Sequence, residues 1–365
     1  MRTKDNPFVT IVGDGPLCVS MADAVKNTGM KPIILTSRDN AWENIEACLL
    51  REEMPEQVVE NILPVIYSSN FNTYEEFSKA MRADGYRAGI ITLNCPYFQE
   101  AVKNQCGNLW FSACREKISN TFIPKLNKAI DKPTDIILLD NNKGLISAAI
   151  ESCTNKYINL HTGVVHNVSV WHGYDYLNKV SVYTHSDIFM LIFPPALMEY
   201  KNLFRTDYLS GREQWIFAET EEEYEAYITF KLCCVNVLHT ASAMIGFIEG
   251  ARRGLSVSEI VLSKWPKIVD RDILTKSILR IQKLLYDKYL CPYKNILSLD
   301  ENACQYVTLK FIEGLYSMKG ETIGRALDPE NLSFDNKMSV HLPMLRALND
   351  EAANKLIDEF LLIVA

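Results

Sequence analysis

Short, unbroken apolar runs alternate with stretches of helical period over the first 150 residues. The segment "PFVTIVGDGPLCVSMADAVKNTGMKPIILTSRD" carries an apolar run at residues 9–12, then Gly13-Asp14-Gly15. A helical pattern follows as far as Gly29, and a second apolar run occupies residues 33–35. "GIITLN" (residues 89–94) and "DIILLDNN" (residues 135–142) repeat the theme, each after a helical stretch. Runs this short and this continuous predict strands of a parallel sheet covered by helices on both faces. From Tyr157 to Pro195 the chain becomes rich in β-branched and aromatic residues, which predicts extra strands and loops crossing between two halves. After "ETEEEYEAYITFK" the pattern is mostly helical. The expected fold class is therefore α/β, with a mostly parallel sheet in a dinucleotide-binding domain over residues 1–195. A mainly α-helical substrate domain would cover residues 196–365, with the cleft between the two as the expected site.

The glycine turn lies between a predicted strand and a predicted helix, the context that a dinucleotide fingerprint requires. Gly13 would permit the tight turn, and Gly15 would let the backbone approach a pyrophosphate, with Asp14 between them. The helix start beyond supplies N–H donors and the positive end of its dipole. Cys18 stands where a third glycine is usual. The second strand ends "ILTSRD", so Ser37 and Arg38 arrive where an acidic residue would bind a ribose 2′-hydroxyl. A hydroxyl followed by a guanidinium suits a 2′-phosphate, which favours NADP over NAD as cofactor. Arg38 stacking on adenine or lying in solvent is the alternative. Asn94, closing the third strand, completes the expected cofactor-binding set.

The stretch "FKLCCVNVLHTASAMIGFIEG" is mostly apolar and helical in period, yet carries Lys231, Asn236 and His239. On a regular helix Asn236 would lie about 140° and His239 about 80° round from Lys231, so all three could address one cleft. Polar groups buried without a task lose solvation. A carbonyl–alcohol oxidoreductase gives them one. A lysine made neutral by desolvation takes the alcohol proton, an amide N–H holds the alkoxide, and an imidazole fixes a neighbouring hydroxyl. The same residues also suit a snorkelling lysine and two satisfied core polars.

The spacing Lys231-x4-Asn236-x2-His239 resembles that of the polyol-specific long-chain dehydrogenases, the mannitol dehydrogenase family. The first strand–helix–strand block, "LLDNN" with Asn141, and "GRALDPENLSFDNK" with Arg325 are similar to further blocks of that family. The resemblance implies a Rossmann-type N-terminal domain, a helical C-terminal one, and a metal-independent NAD(P)-linked oxidoreductase. Its substrate would be a polyol, a polyol phosphate or a sugar acid, interconverted with the keto form. Lys231 would be the general base, Asn236 and Asn141 the oxyanion donors, His239 a substrate-binding residue, and Arg325 a candidate for an anionic substrate group. One departure is that "VVHNVSVWHGYD" replaces the family's Val-Asp-Arg block, with His166, Trp171 and His172 in its place. An opine-type or 3-hydroxyacid dehydrogenase is the alternative enzyme, which a four-residue gap from lysine to asparagine would favour over the five found here. A non-catalytic nucleotide-binding Rossmann protein is the other.

Composition narrows the partners. A net charge of −7 without a basic stripe argues against nucleic acid. No run of 18 apolar residues predicts a membrane span, and the N-terminus shows no apolar signal segment. Ten scattered cysteines without a C-x-x-C pair predict reduced thiols packed as small hydrophobes and no metal site. The expectation is a cytoplasmic monomer or homodimer whose partner is a small molecule, a sugar alcohol or sugar acid.

Overall fold

The computed structural model describes residues 8–13, 16–38, 48–51, 65–83, 88–112, 114, 117–139, 143–166, 169–174, 180–184, 189–204, 213–297, 300–317, 322–324 and 337–364. The chain divides into two compact units, Met1–Glu219 and Thr220–Ala365.

The first unit has the architecture expected from its apolar runs, a parallel sheet with crossover helices, here in the Rossmann-type arrangement. In chain order its main strands begin with β1 (Phe8–Val12) and β2 (Lys31–Thr36), joined by helix α1 (Pro16–Asn27). After β3 (Cys48–Arg51) come β4 (Val65–Tyr67) and β5 (Ala88–Thr92), joined by α2 (Tyr74–Ala83). Helix α3 (Phe98–Gln105) leads to β6 (Leu109–Ser112), and α4 (Ile123–Ala129) to β7 (Thr134–Leu138). Helix α5 (Lys143–Ser152) then leads to β8 (Ile158–Thr162). The strand order is β4-β5-β2-β1-β6-β7-β8, and every pairing is parallel.

Alternate residues of these strands feed two cores, one on each face. Val9, Ile11, Ile34, Ile90, Phe111 and Ile137 pack with α1. Val12, Ile33, Leu35, Ile91, Trp110 and Ile136 pack on the opposite face. Burial on both sides is why the strands read as unbroken apolar runs. The aromatic segment after residue 157 does not behave as one crossing region. Its first strand, β8, is an edge of the main sheet. Of the others, β9 (Val164–His166), β12 (Phe189–Phe193) and β13 (Glu213–Phe217) form a separate three-stranded sheet. Strand β11 (Val180–Thr184) pairs with β10 (Ser169–Tyr174) on one side and β3 on the other in a third. Phe193 stacks on Phe217 at 4.1 Å and meets Phe111 at 6.0 Å, joining the β12 sheet to the α1 face.

The second unit is helical. A single 32-residue helical stretch runs from Glu221 to Arg252. Its first part is α6 (Glu221–Lys231), and its last is α7 (Val237–Arg252). Thr220 caps its start by accepting the Glu223 N–H at 3.1 Å, and the acidic first turn suits the helix dipole. By length and composition this helix could cross a membrane, but 72% of its apolar window is buried within the protein, as in the central helix of a folded bundle. Around it pack α8 (Val257–Leu262), α9 (Trp265–Ile268), α10 (Arg271–Leu285), α11 (Glu301–Ser317), α12 (Lys337–Arg346) and α13 (Glu351–Val364). Gly250 is required where a Cβ would fall 2.6 Å from Ile260.

Candidate functional site

In the first unit the carboxyl ends of the strands are level with one another. Gly13 follows β1 and donates its N–H to Leu35 of β2 at 2.8 Å, while Leu93 after β5 donates to Thr36 at 3.0 Å. Leu139 after β7 donates to Ser112 of β6 at 2.9 Å. The chain moves from β1 to β2 and β5 on one side, then returns to place β6 on the other, so the strand order reverses between β1 and β6. A crevice at such a switch point is where open α/β sheets take their ligands.

Gly13 stands at that point with φ +116°, a conformation that favours glycine. A Cβ there would fall 3.0 Å from both the Cys114 Cβ and the Cys18 Sγ. Cys18, at the place of the third glycine, is fully buried and points its thiol toward the Val12 carbonyl at 3.8 Å. It meets the requirement for close helix–strand packing with a small side chain. Ser37 is half-buried and Arg38 exposed just beyond β2, where the Arg38 N–H bonds the Thr36 hydroxyl at 3.1 Å. Asn94 is exposed beyond β5, and its side-chain oxygen accepts from Lys125 at 3.4 Å. Lys125 also donates to the Leu93 carbonyl at 2.8 Å. Gly13, Ser37, Arg38 and Asn94 thus share one edge of the sheet. Asp14, Gly15 and Asn141 lie outside the described residues.

Three neighbours of this edge were not anticipated. Ser112 and Cys114 end and follow β6 beside Gly13, their side chains 3.3 Å apart, and Lys125 reaches in from α4. The sequence did hold a signal for the first two. "LWFSAC" is another apolar run ending in small polar residues, as at the other strand ends.

In the second unit the helix that carries Lys231, Asn236 and His239 is not regular. Between α6 and α7 the residues Leu232–Asn236 form a π-turn, in which the Val237 N–H donates to the Leu232 carbonyl five residues back. A π-turn takes up one more residue than an α-turn. Relative to Lys231, it moves Asn236 from about 140° to about 40° round the axis, and His239 from about 80° to about −20°. Burial agrees with the same geometry. Cys233, Cys234, Val237, Leu238 and residues 240–248 are buried, whereas Lys231, Leu232, Val235, Asn236 and His239 are half-buried. The three polar residues therefore share one half-buried side of the helix, with Cys233, Cys234, Val237 and Leu238 buried on the other.

The buried side of the π-turn is anchored by thiols. Cys234 is hydrogen-bonded to Cys304 of α11, and that bond, followed by burial, raises its pKa so that the thiol stays protonated. Burial first, and the neighbouring Cys304 second, push Cys233 up to about 12. The His239 ring lies 6.1 Å from that of Trp265 and 5.5 Å from that of Phe311, between two aromatic walls. Arg325 lies outside the described residues. Gly324 before it packs where a Cβ would fall 2.7 Å from the Val261 carbonyl. His166, Trp171 and His172 are described in backbone only, on β9 and β10.

No protein-family model matches the chain, and no curated protein matches it in sequence. Solved structures do match in fold. A provisionally assigned 2-dehydropantoate 2-reductase from Staphylococcus aureus aligns with TM-score 0.52 and 12% identity over 97% of this chain and 96% of its own. The 2-dehydropantoate 2-reductase from Geobacter metallireducens GS-15 gives 0.50 and 13% over 98% of both chains. A ternary structure of D-mandelate dehydrogenase with NADH and anilino(oxo)acetate gives 0.50 and 11% over 97% and 96%. At such identities the likeness is one of fold.

It corrects the resemblance to the mannitol dehydrogenase family. The architecture that this chain matches along nearly its whole length is that of 2-dehydropantoate reductases and D-mandelate dehydrogenase. The misleading feature was the five-residue gap between Lys231 and Asn236. Measured on a regular helix it separates this chain from a four-residue spacing, but the π-turn removes that difference in angle.

Proposed function

We propose that the chain is a nicotinamide-dependent oxidoreductase that interconverts a 2-oxo acid and the corresponding 2-hydroxy acid. The observation that carries this is the half-buried stripe of Lys231, Asn236 and His239 on a helix whose other side, Cys233, Cys234, Val237 and Leu238, is core. A cation beside an amide donor is what a carbonyl oxygen needs as it becomes an alkoxide. The fold likeness to enzymes named for 2-dehydropantoate reduction and mandelate oxidation supports an acid substrate. It favours the hydroxyacid alternative over a polyol, whose support came from the overturned resemblance.

The residues at the sheet edge fit a dinucleotide. Gly13 forms a turn that a Cβ would crowd, α1 begins just beyond, and a hydroxyl and a guanidinium follow β2. The nicotinamide, when bound, supplies or accepts the hydride. Gly13, with Asp14 and Gly15, would approach the pyrophosphate. Ser37 and Arg38 would meet the ribose 2′ position and favour NADP, and Asn94 would hold the adjacent sugar. Lys231 would donate a proton to the substrate oxygen during reduction and take it back during oxidation. The amides of Asn236 and Asn141 would donate hydrogen bonds to that oxygen. His239, its ring held between Trp265 and Phe311, would orient the substrate, and Arg325 would pair with its carboxylate.

The test is a panel of 2-oxo acids with aliphatic, branched and aryl side chains, assayed for NADPH and NADH oxidation, with hexitols and hexuronates assayed in the reverse direction. Turnover of at least one 2-oxo acid is expected. A chain that binds nucleotide and turns over no member would be a nucleotide sensor or scaffold, and the enzyme assignment would be abandoned.

A further inference from the structure

We infer that the π-turn Leu232–Asn236 is a one-residue insertion, with Val235 the accommodated residue, and that its role is to position Asn236 and His239 on the Lys231 stripe. The inference rests on the assignment of Lys231 and Asn236 to carbonyl chemistry, and adds how this chain's spacing serves it.

The geometry has two fixed sides. On the core side, Cys233, Cys234, Val237 and Leu238 are fully buried, and Cys234 bonds Cys304 of α11. On the other side lie Lys231, Asn236 and His239. A regular helix through the same sequence would swing Asn236 about 100° toward the side that Val237 and Leu238 occupy, burying an amide among apolar groups. The π-turn absorbs one residue without rotating the helix beyond it. Lys231-x4-Asn236-x2-His239 on this helix is therefore equivalent in angle to Lys-x3-Asn-x2-His on an unbroken one. Val235 is half-buried beside Asn236, whereas Cys233 and Cys234 belong to the core. Its removal leaves the core residues in place.

Three variants test this. Deletion of Val235 closes the turn into a regular α-helix with the stripe preserved. Deletion of Met244, within the regular and fully buried part of α7, is the control that rotates all later residues by about 100°. Asn236→Ala removes the amide while leaving the length unchanged, and sets the loss that a misplaced amide would show. The Val235 deletion is expected to unfold at or above the wild-type temperature and to keep kcat within about threefold, and the Met244 deletion to unfold well below it. Asn236→Ala is expected to keep the wild-type melting temperature and lose about 10²-fold in kcat, because the stripe loses its amide donor.

A Val235 deletion that melts as low as the Met244 deletion would overturn the insertion, and one that folds but loses as much kcat as Asn236→Ala would overturn the positioning role. Absence of turnover in the wild type would instead remove the proposed reaction, while the melting comparison still decides whether Val235 is an insertion.

Discussion

The Tyr200 hydroxyl donates to the Asp135 carboxylate at 2.6 Å, tying the 3₁₀ segment after β12 to the start of β7. Asp135 is buried, and its other oxygen contacts Asn159 at 3.1 Å and His161 at 2.9 Å on β8. Burial alone raises the pKa of the carboxyl. The bonds from His161, Tyr200 and Asn159 more than offset that, and it lies below the ordinary carboxylate value. A depressed folded-state pKa stabilises the fold above the unfolded value, and that contribution fades as pH falls through the folded one. Tyr200→Phe should therefore cost about 1.5–3 kcal/mol in urea unfolding at neutral pH. Asp135→Asn should lower stability at pH 7 and flatten the loss below about pH 4. An acid limb as steep as that of the wild type would detach this carboxyl from the pH dependence.

Gly13 combines a backbone conformation that favours glycine with close neighbours. Alanine there meets a left-handed backbone and two contacts at 3.0 Å, on Cys114 and Cys18. Strain of about 1–3 kcal/mol should appear as a lower melting temperature. The distortion should also weaken NADPH binding at least tenfold in a fluorescence titration. Unchanged affinity in a folded Gly13→Ala protein would move the nucleotide site away from this turn.

What could be read from the sequence depended on how much of an element's pattern its own residues determine. β1, α1 and β2 were legible because unbroken apolar runs and a glycine with positive φ each report a local requirement. β4 and β6, of three and four residues, are too short for periodicity to separate them from buried helix segments. β8 was placed with the crossing segment because it is an edge strand. Only its first residue is fully buried, so it shows none of the continuous apolar character of its neighbours. In the second unit, the types of Lys231, Asn236 and His239 and their approach to one cleft were expected, but at angles of about 140° and 80° rather than about 40° and −20°. Angles read from sequence assume 3.6 residues per turn, and the π-turn depends on tertiary packing against α11.

Arg38 should decide between the two nicotinamide cofactors. Its position one residue past Ser37, exposed at the end of β2, matches a guanidinium that pairs with a 2′-phosphate. Removal of a charge-assisted bond of about 1.5–3 kcal/mol corresponds to a rise of about 10- to 150-fold in the KM for NADPH. The KM for NADH should stay near its wild-type value in Arg38→Ala. Equal effects on both cofactors would show that Arg38 does not read the 2′ position.

Lys231 separates chemistry from architecture most sharply. In Lys231→Ala the residues proposed to bind nucleotide in the first unit are untouched, so NADPH titration should give the wild-type affinity. Loss of a proton donor should lower kcat by about 10²–10⁴-fold. Lys231→Arg then distinguishes two roles. Arginine retains the positive charge but does not give up its proton near neutral pH, so a proton-transfer role leaves the variant close to the alanine level. If Lys231 serves only to balance charge on the half-buried face, arginine restores most of the rate, and the proton would have to come from elsewhere in the chain.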